Sequence, residues 1–272
     1  MTSFSGSPTE VLISTIKNHG LIVTLTKREV AGRYRGSFFG LMWSFLSPLL
    51  MLAVYTFVFG EVFKARWHSE SSDPGQFALM LFAGLIVFNL FSEVIMRSPG
   101  VILTNVSYVK KVVFPLEILP LTIIWSSVFH ALVSIFVWLI AYMLYFGVPQ
   151  LTVILAPVVL LPLIILISGF SWMLAALGVY IRDVSQLVGF LTTAMMFLSP
   201  IFFPITSLPE SYRSIVFYNP LTIPIEQLRN VLFLGELPDW QVLAFYTFVA
   251  CLVALVGFFF FQKTRKGFAD VL

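Results

Sequence analysis

Residues 151–180 read LTVILAPVVLLPLIILISGFSWMLAALGVY, a run of 30 without a single Asp, Glu, Lys, Arg or His. A helix crosses the hydrocarbon core of a bilayer, about 30 Å, in about 20 residues. The run is longer than a straight crossing needs, and tilt or extension beyond the lipid absorbs the excess. Pro157 and Pro162 are expected to kink or interrupt it. A surface helix of a soluble protein would carry a narrow apolar stripe instead.

Outward from this run the pattern repeats. Upstream lie residues 116–146, of similar length, then 77–96 and 38–59; downstream lie 187–203 and 242–261. Six transmembrane helices are therefore expected, in an all-α polytopic membrane protein. Apolar residues make up 59% of the 272 positions and charged residues 11%, against about 25% charged in an ordinary soluble domain. Segment 187–203 is short and ends among Ser199, Pro200 and Pro204, which suggests a broken or re-entrant end lining protein or water. One membrane domain is expected over 1–272: an arm (1–35), a six-span core (36–262) and a tail (263–272). No apolar segment ahead of a small-residue cleavage site precedes the first span, so that span is expected to serve as an uncleaved signal. The single Cys251 allows no intrachain disulfide.

Orientation follows from Lys and Arg. Lys17, Lys27, Arg28, Arg33, Arg35, Arg97, Lys110, Lys111, Arg182, Lys263, Arg265 and Lys266 put 12 on one side, against Lys64, Arg66, Arg213 and Arg229 on the other. Both termini are thus expected in the cytoplasm. Within the arm, residues 8–35 read as two helical pieces broken near His19-Gly20, with Pro8 at the start and Leu12, Ile16 and Val23 at roughly helical spacing. A basic amphipathic segment before a span is expected to lie in the membrane interface; the alternative is a topology signal alone.

Ionisable groups within spans are functional suspects. Asn89, Glu93 and Arg97 share one helix face, and Glu preceding Arg by four favours an ion pair. Thr122, Ser126, His130 and Ser134 follow one another at i+4, with Trp138 continuing the stripe. Such a stripe either packs helices by hydrogen bonds or lines a wet path. The chain holds 29 Phe, 9 Tyr and 6 Trp. On the first span Phe39, Trp43 and Phe57 fall near one angle and Phe38, Phe45, Tyr55 and Phe59 on another face; one face suits lipid and the other a pore.

Enzymatic motifs are weak. The nearest approach to a phosphate-binding loop, Gly257 to Thr264, has Gln262 where the second Gly belongs. His68, Glu70 and Asp73 match no strong metal-ligand spacing, so no metal site is expected. The basic residues are juxtamembrane and give no nucleic-acid footprint.

Several blocks in order carry a family resemblance. They are Lys27-Arg28-Glu29, Arg33-Tyr34-Arg35, Ser37, Gly40, Trp43 and Pro48-Leu49; then Lys110-Lys111-Val112-Val113-Phe114-Pro115 and Leu119-Pro120-Leu121; then Arg182-Asp183. Ser199-Pro200-Ile201, Pro204, Asn219-Pro220, Arg229 and the final GFADVL of residues 267–272 complete the set. With six spans between them, the chain resembles type-2 ABC transporter permeases that export polysaccharides, the O-antigen branch in particular.

That resemblance implies a non-enzymatic, channel-forming subunit in the bacterial inner membrane. A second copy of the chain completes the channel, and two separate ATP-binding cassette subunits hold ATP and Mg, with no cofactor in this chain. The implied cargo is undecaprenyl-diphosphate-linked polysaccharide; teichoic acid or another lipid-linked glycan is the alternative. Phe39, Trp43, Tyr55 and Trp138 are expected to line the channel, and Arg33, Arg35 and Arg97 to meet the lipid diphosphate or to reach lipid phosphates. Coupling to the ATPase is expected at Lys27, Arg28, Tyr108, Lys110, Lys111, Arg182 and Asp183, and an outer gate of short re-entrant helices at Pro200, Pro204, Asn219 and Pro220. Rival readings are an ion-coupled carrier using Glu93 and His130 and a membrane transferase using outer-loop acids.

Overall fold

The computed structural model describes residues 8–62, 74–110 and 114–272; His68, Glu70, Asp73 and Lys111 lie outside them. The regular structure of the described residues is helical throughout. The arm forms α1 (Pro8–Lys17) and α2 (His19–Arg33), broken at Asn18, one residue before the expected place. Ile22, Leu25 and Val30 of α2 turn into the protein, whereas Val23 and, on α1, Ile13 and Ile16 are exposed. The apolar residues of the arm thus fall on two faces, Ile16 and Val23 outward and Ile22 and Leu25 inward.

The first span opens with a 3-10 turn (Gly40–Met42), continues as α3 (Trp43–Tyr55) with Pro48 inside it, and ends in a π-helical stretch (Thr56–Val62). Next come α4 (Pro74–Arg97), the short α5 (Val106–Val109) and α6 (Ile118–Phe146). A 3-10 turn (Leu151–Leu155) leads into α7 (Ala156–Tyr180). Pro157 stands in the first turn of α7, where its missing N–H costs nothing, and Pro162 lies inside a helix that runs on past it. Neither interrupts the span.

After α7 the chain forms α8 (Val184–Leu198), α9 (Glu210–Phe217), α10 (Thr222–Arg229), a π-helical stretch (Asn230–Leu234), α11 (Trp240–Thr264) and α12 (Phe268–Val271). Asp239 caps α11, its carboxylate accepting from the N–H groups of Gln241 and Val242. Among the described residues five helices are long and apolar enough to cross a membrane: Gly40–Phe59, Gly75–Gly100, Ile118–Phe146, Leu151–Tyr180 and Trp240–Val271. The chain is thus a multi-pass membrane protein. The sixth apolar segment, α8, has 15 residues, which reach only about 22 Å at 1.5 Å per residue.

Burial separates a centre from a periphery. In the span of α4, 78% of the positions in its most apolar stretch are buried, against 6% in the first span. A helix apolar on every side belongs in the interior, and residues 77–91 of α4 have that character. Trp138 of α6 is fully buried against α4 and donates from Nε1 to the Leu79 carbonyl at 2.9 Å. The expectation that Trp138 lines a channel is therefore corrected: its polar handle ties two helices together.

Small residues set the closest helix contact. A Cβ on Gly169 of α7 would stand 2.5 Å from the Val253 carbonyl oxygen, and one on Gly257 of α11 would overlap the Gly169 carbonyl. Backbones that approach so closely gain dispersion contact, the main attraction between helices in lipid. Gly257 is thus a packing residue of a membrane helix, outside any phosphate loop.

Candidate functional site: a polar cavity beside an arginine cluster

At one end of the bundle the expected basic residues gather. Glu93 accepts from Arg33 at 2.6 Å and from Arg97 at 3.2 Å, and Arg97 also pairs with Glu29. The expected i,i+4 pair on α4 is therefore present, and α2 joins it. Arg28, Glu29, Gly32, Arg33, Arg35 and Arg97 line an open cavity of about 630 Å3. Four guanidiniums against one carboxylate make this wall anion-attracting, with Glu93 offsetting part of the charge. Arg28 donates to the Tyr108 hydroxyl at 3.2 Å, and the Tyr108 ring stacks on Phe114 with centroids 4.3 Å apart. Lys27, Lys110, Arg182 and Asp183 are exposed.

Glu117 and Tyr34 were missed as site residues. Glu117 is buried at the start of α6 and accepts from Arg265 at 2.6 Å and from Ser14 at 2.7 Å. Its own carbonyl accepts from Trp172 Nε1 at 3.0 Å, and Arg265 also reaches the Phe114 carbonyl at 2.8 Å. One carboxylate thereby joins α1, α6 and the segment after α11. It is the only carboxylate in the 116–146 segment, a signal that was available.

A second cavity, of about 420 Å3, opens between the end of α2, α3, α4 and α6. Gly36 and Gly40, both at positive φ, turn the chain from α2 into the first span and place Trp43 beside Arg33 and Tyr34 at its wall. Trp43, Ser44, Ser47 and Tyr55 line it from α3, Asn89 and Glu93 from α4, and Ser127, His130 and Ser134 from α6. Of the α6 stripe, His130 and Ser134 line this cavity, whereas Thr122 and Ser126 are buried, the Thr122 hydroxyl donating to the Leu119 carbonyl of its own helix. The Tyr34 hydroxyl lies 3.4 Å from His130 Nδ1, with the rings edge to face. Burial raises the Tyr34 pKa above its ordinary value, the Arg33 guanidinium opposing and the Glu93 carboxylate adding to the shift, so the phenol keeps its proton. The Ser127 hydroxyl and His130 Nε2 find no hydrogen-bond partner among the described residues. Of the expected channel aromatics, Trp43 and Tyr55 line this cavity, whereas Phe39 is exposed and packs edge to face on Phe38 and Trp43.

At the opposite end, Arg229 is fully buried instead of facing an outer solution. It donates to the carbonyls of Met80 (2.9 Å), Pro200 (2.6 Å) and Ile201 (2.8 Å) and pairs with Glu226 at 2.9 Å. Asn219 is buried as well. Its amide donates to the Ser199 hydroxyl at 3.0 Å, and its carbonyl accepts from the Leu221 N–H at 2.9 Å. The Pro220 carbonyl accepts from the Tyr246 hydroxyl at 2.9 Å, and that of Pro204 from the Ser207 hydroxyl at 2.7 Å. These contacts fasten the turn after α8 to α10 and, through Arg229, to α4, and they fasten the turn before α10 to α11.

Comparison with other proteins agrees with this architecture. The O-antigen export system permease protein RfbA of Myxococcus xanthus is 28% identical over 253 residues, covering 92% of this chain and 95% of that protein. A permease of the same name from Klebsiella pneumoniae is 27% identical over 93% of this chain and 95% of its own. The polysialic acid transport protein KpsM of Escherichia coli is 27% identical over 86% of this chain and 90% of its own. Residues 20–233, from the start of α2 to the end of the π-helical stretch after α10, match the ABC-2 type transporter model, and the chain belongs to that family.

Proposed function

We propose that this chain is the membrane-spanning permease of an ATP-driven polysaccharide exporter in the bacterial inner membrane, with lipid-linked O-antigen as its cargo. The observation that carries the reading is similarity along nearly the whole chain to permeases named for O-antigen export, with a polysialic acid transport protein beside them. In this reading the chain makes six crossings, α8 being the fifth, and α9 and α10 form the outer gate. The bias of Lys and Arg favours both termini in the cytoplasm. Exposed Ile13 and Ile16 suit α1 to the membrane interface.

Two copies of the chain form the channel, and two ATP-binding subunits supply ATP and Mg; the chain itself catalyses nothing. The partner's stroke is received at α2, α5 and the Arg182–Asp183 turn. The Arg28–Tyr108 contact supports joint movement of the first two. A lipid diphosphate is drawn to the cavity of Arg28, Arg33, Arg35 and Arg97, and the sugar chain then passes Trp43 and Tyr55. Glycans such as teichoic acid, carried on the same lipid, would suit the same geometry.

A strain lacking the gene tests this. An antibody to the cell's own surface polysaccharide is compared on intact and permeabilised cells. Polymer trapped inside as lipid-linked material is the expected result, and normal surface polymer would overturn the O-antigen assignment. Absence of polymer everywhere would favour a role in synthesis.

A further inference from the structure

We propose that the segment after α11, residues 264–272, is a yoke that ties α5 to the Arg182–Asp183 turn, so that the two move as one under the partner's stroke. The inference rests on the exporter reading and deepens it by naming positioning residues that share out that stroke: Arg265, Phe268 and Tyr180.

A short segment beyond a spanning helix frays unless something ties it down. This one folds into a 3-10 turn (Arg265–Gly267) and α12, and side chains fasten it on both sides. The Arg265 guanidinium donates to the Phe114 carbonyl at 2.8 Å and to the Glu117 carboxylate at 2.6 Å. The Thr264 carbonyl accepts from the Tyr180 hydroxyl at 2.7 Å. Phe268 is fully buried, its ring centroid 6.0 Å from that of Tyr180 and 5.5 Å from that of Phe261. A Cβ on Gly267 would stand 2.5 Å from the Tyr180 hydroxyl oxygen, so the phenol lies against the backbone of the turn.

The ties land beside two segments assigned to the partner. Phe114 stacks on Tyr108 of α5, and Tyr108 accepts from Arg28 of α2. Tyr180 ends α7, just ahead of the exposed Arg182 and Asp183. A continuous run of contacts therefore leads from α2 through α5, Phe114 and Arg265 to Phe268, Tyr180 and the turn.

The materials of this run suit a strut. α5 has four residues, too few to hold a helix by themselves, so its position is set by what it touches. The Arg265–Glu117 pair is charge-assisted and each side chain is only 11% exposed, which leaves it little screened by salt. Phe268 is wedged between two rings, and close-packed interiors resist compression and pass on displacement.

The test is a double-mutant cycle on the full chain in lipid nanodiscs without the ATPase, so that no partner can relay the effect. Amide exchange is read at residues 181–184. Tyr108→Ala removes the ring that stacks on Phe114 and should raise exchange at this distant turn about fivefold. Beside Phe268→Ala the same substitution should add less than about twofold, because the joint is already cut. In the full permease–ATPase complex, Phe268→Ala should lower the polymer exported per ATP hydrolysed about fivefold. Loss of folded protein alone would lower export and hydrolysis alike and leave that ratio in place. Should Phe268→Ala lower the thermal midpoint, Tyr180→Phe takes its place in the cycle, since it keeps the ring and removes only the hydroxyl bonded to Thr264. Equal effects of Tyr108→Ala in every background, or no effect in the native chain, overturn the proposal. Normal surface polymer in the deletion strain, with the cycle as expected, removes the cargo assignment and leaves the yoke standing. A chain that does not assemble with an ATP-binding subunit overturns both.

Discussion

Arg229 illustrates how much one side chain can hold. Its guanidinium satisfies three backbone carbonyls belonging to α4 and to the turn after α8, and Glu226 balances its charge. Arg229→Met would leave those acceptors unmet in the interior, at a cost of about 3 kcal/mol; a lowered thermal midpoint of the purified chain is the check. Gly84 exists in this environment for space, since a Cβ there would stand 2.9 Å from Arg229 Nη2. Gly84→Ala should therefore destabilise the native chain and do less harm beside Arg229→Met, a coupling that a double-mutant cycle measures. Equal effects in both backgrounds would mean that the guanidinium is not what Gly84 accommodates. From the sequence, Arg229 was counted as an outer-side charge because its carbonyl partners are 28, 29 and 149 residues away. Glu117 escaped notice for the same reason, its partners Ser14 and Arg265 lying 103 and 148 residues off. Local pairs such as Glu93–Arg97 were legible, because four residues along a helix bring side chains together whatever the tertiary structure.

At the level of elements, the α7–α11 contact sets a clear test. Gly257→Ala would place a methyl group on the Gly169 carbonyl and push the helices apart, costing about 1–3 kcal/mol. Gly189→Ala, on α8 where an added Cβ would meet no neighbouring element within 4 Å, is the control and should not lower the thermal midpoint. A second test concerns the Glu117 junction. Glu117→Gln keeps the shape and removes the charge that Arg265 meets, so amide exchange in α1 and in the segment after α11 should rise together by about fivefold to tenfold. A rise at one end alone would show that the two are held independently. The spans themselves were readable because bilayer thickness dictates the length and composition of any segment that crosses it. Which face of α2 meets the bundle was not readable: Ile22 and Leu25 face inward while Val23 is exposed, and in a short basic helix both faces carry apolar residues. Trp138 shows the same limit, since its face of α6 looks alike from sequence whether it meets a pore or the buried α4.

For the whole molecule, the proposed export path runs by the cavity between the first span and the bundle. Trp43→Ala combined with Tyr55→Ala should slow the appearance of polymer at the cell surface several-fold, while the permease still co-purifies with its ATPase. Undiminished export would remove those rings from the path. The first span has 6% of its positions buried against 78% for the span of α4, has cavities on two sides, carries Pro48 inside its helix and ends in seven π-helical residues. In mechanical terms the bundle is a stator and this helix a compliant arm hung from it. Lipid solvates the arm as well as protein does, so swinging it aside forfeits little cohesion. In the proposed exporter, work delivered by an ATP-binding partner would then go into the load instead of into prising the housing apart.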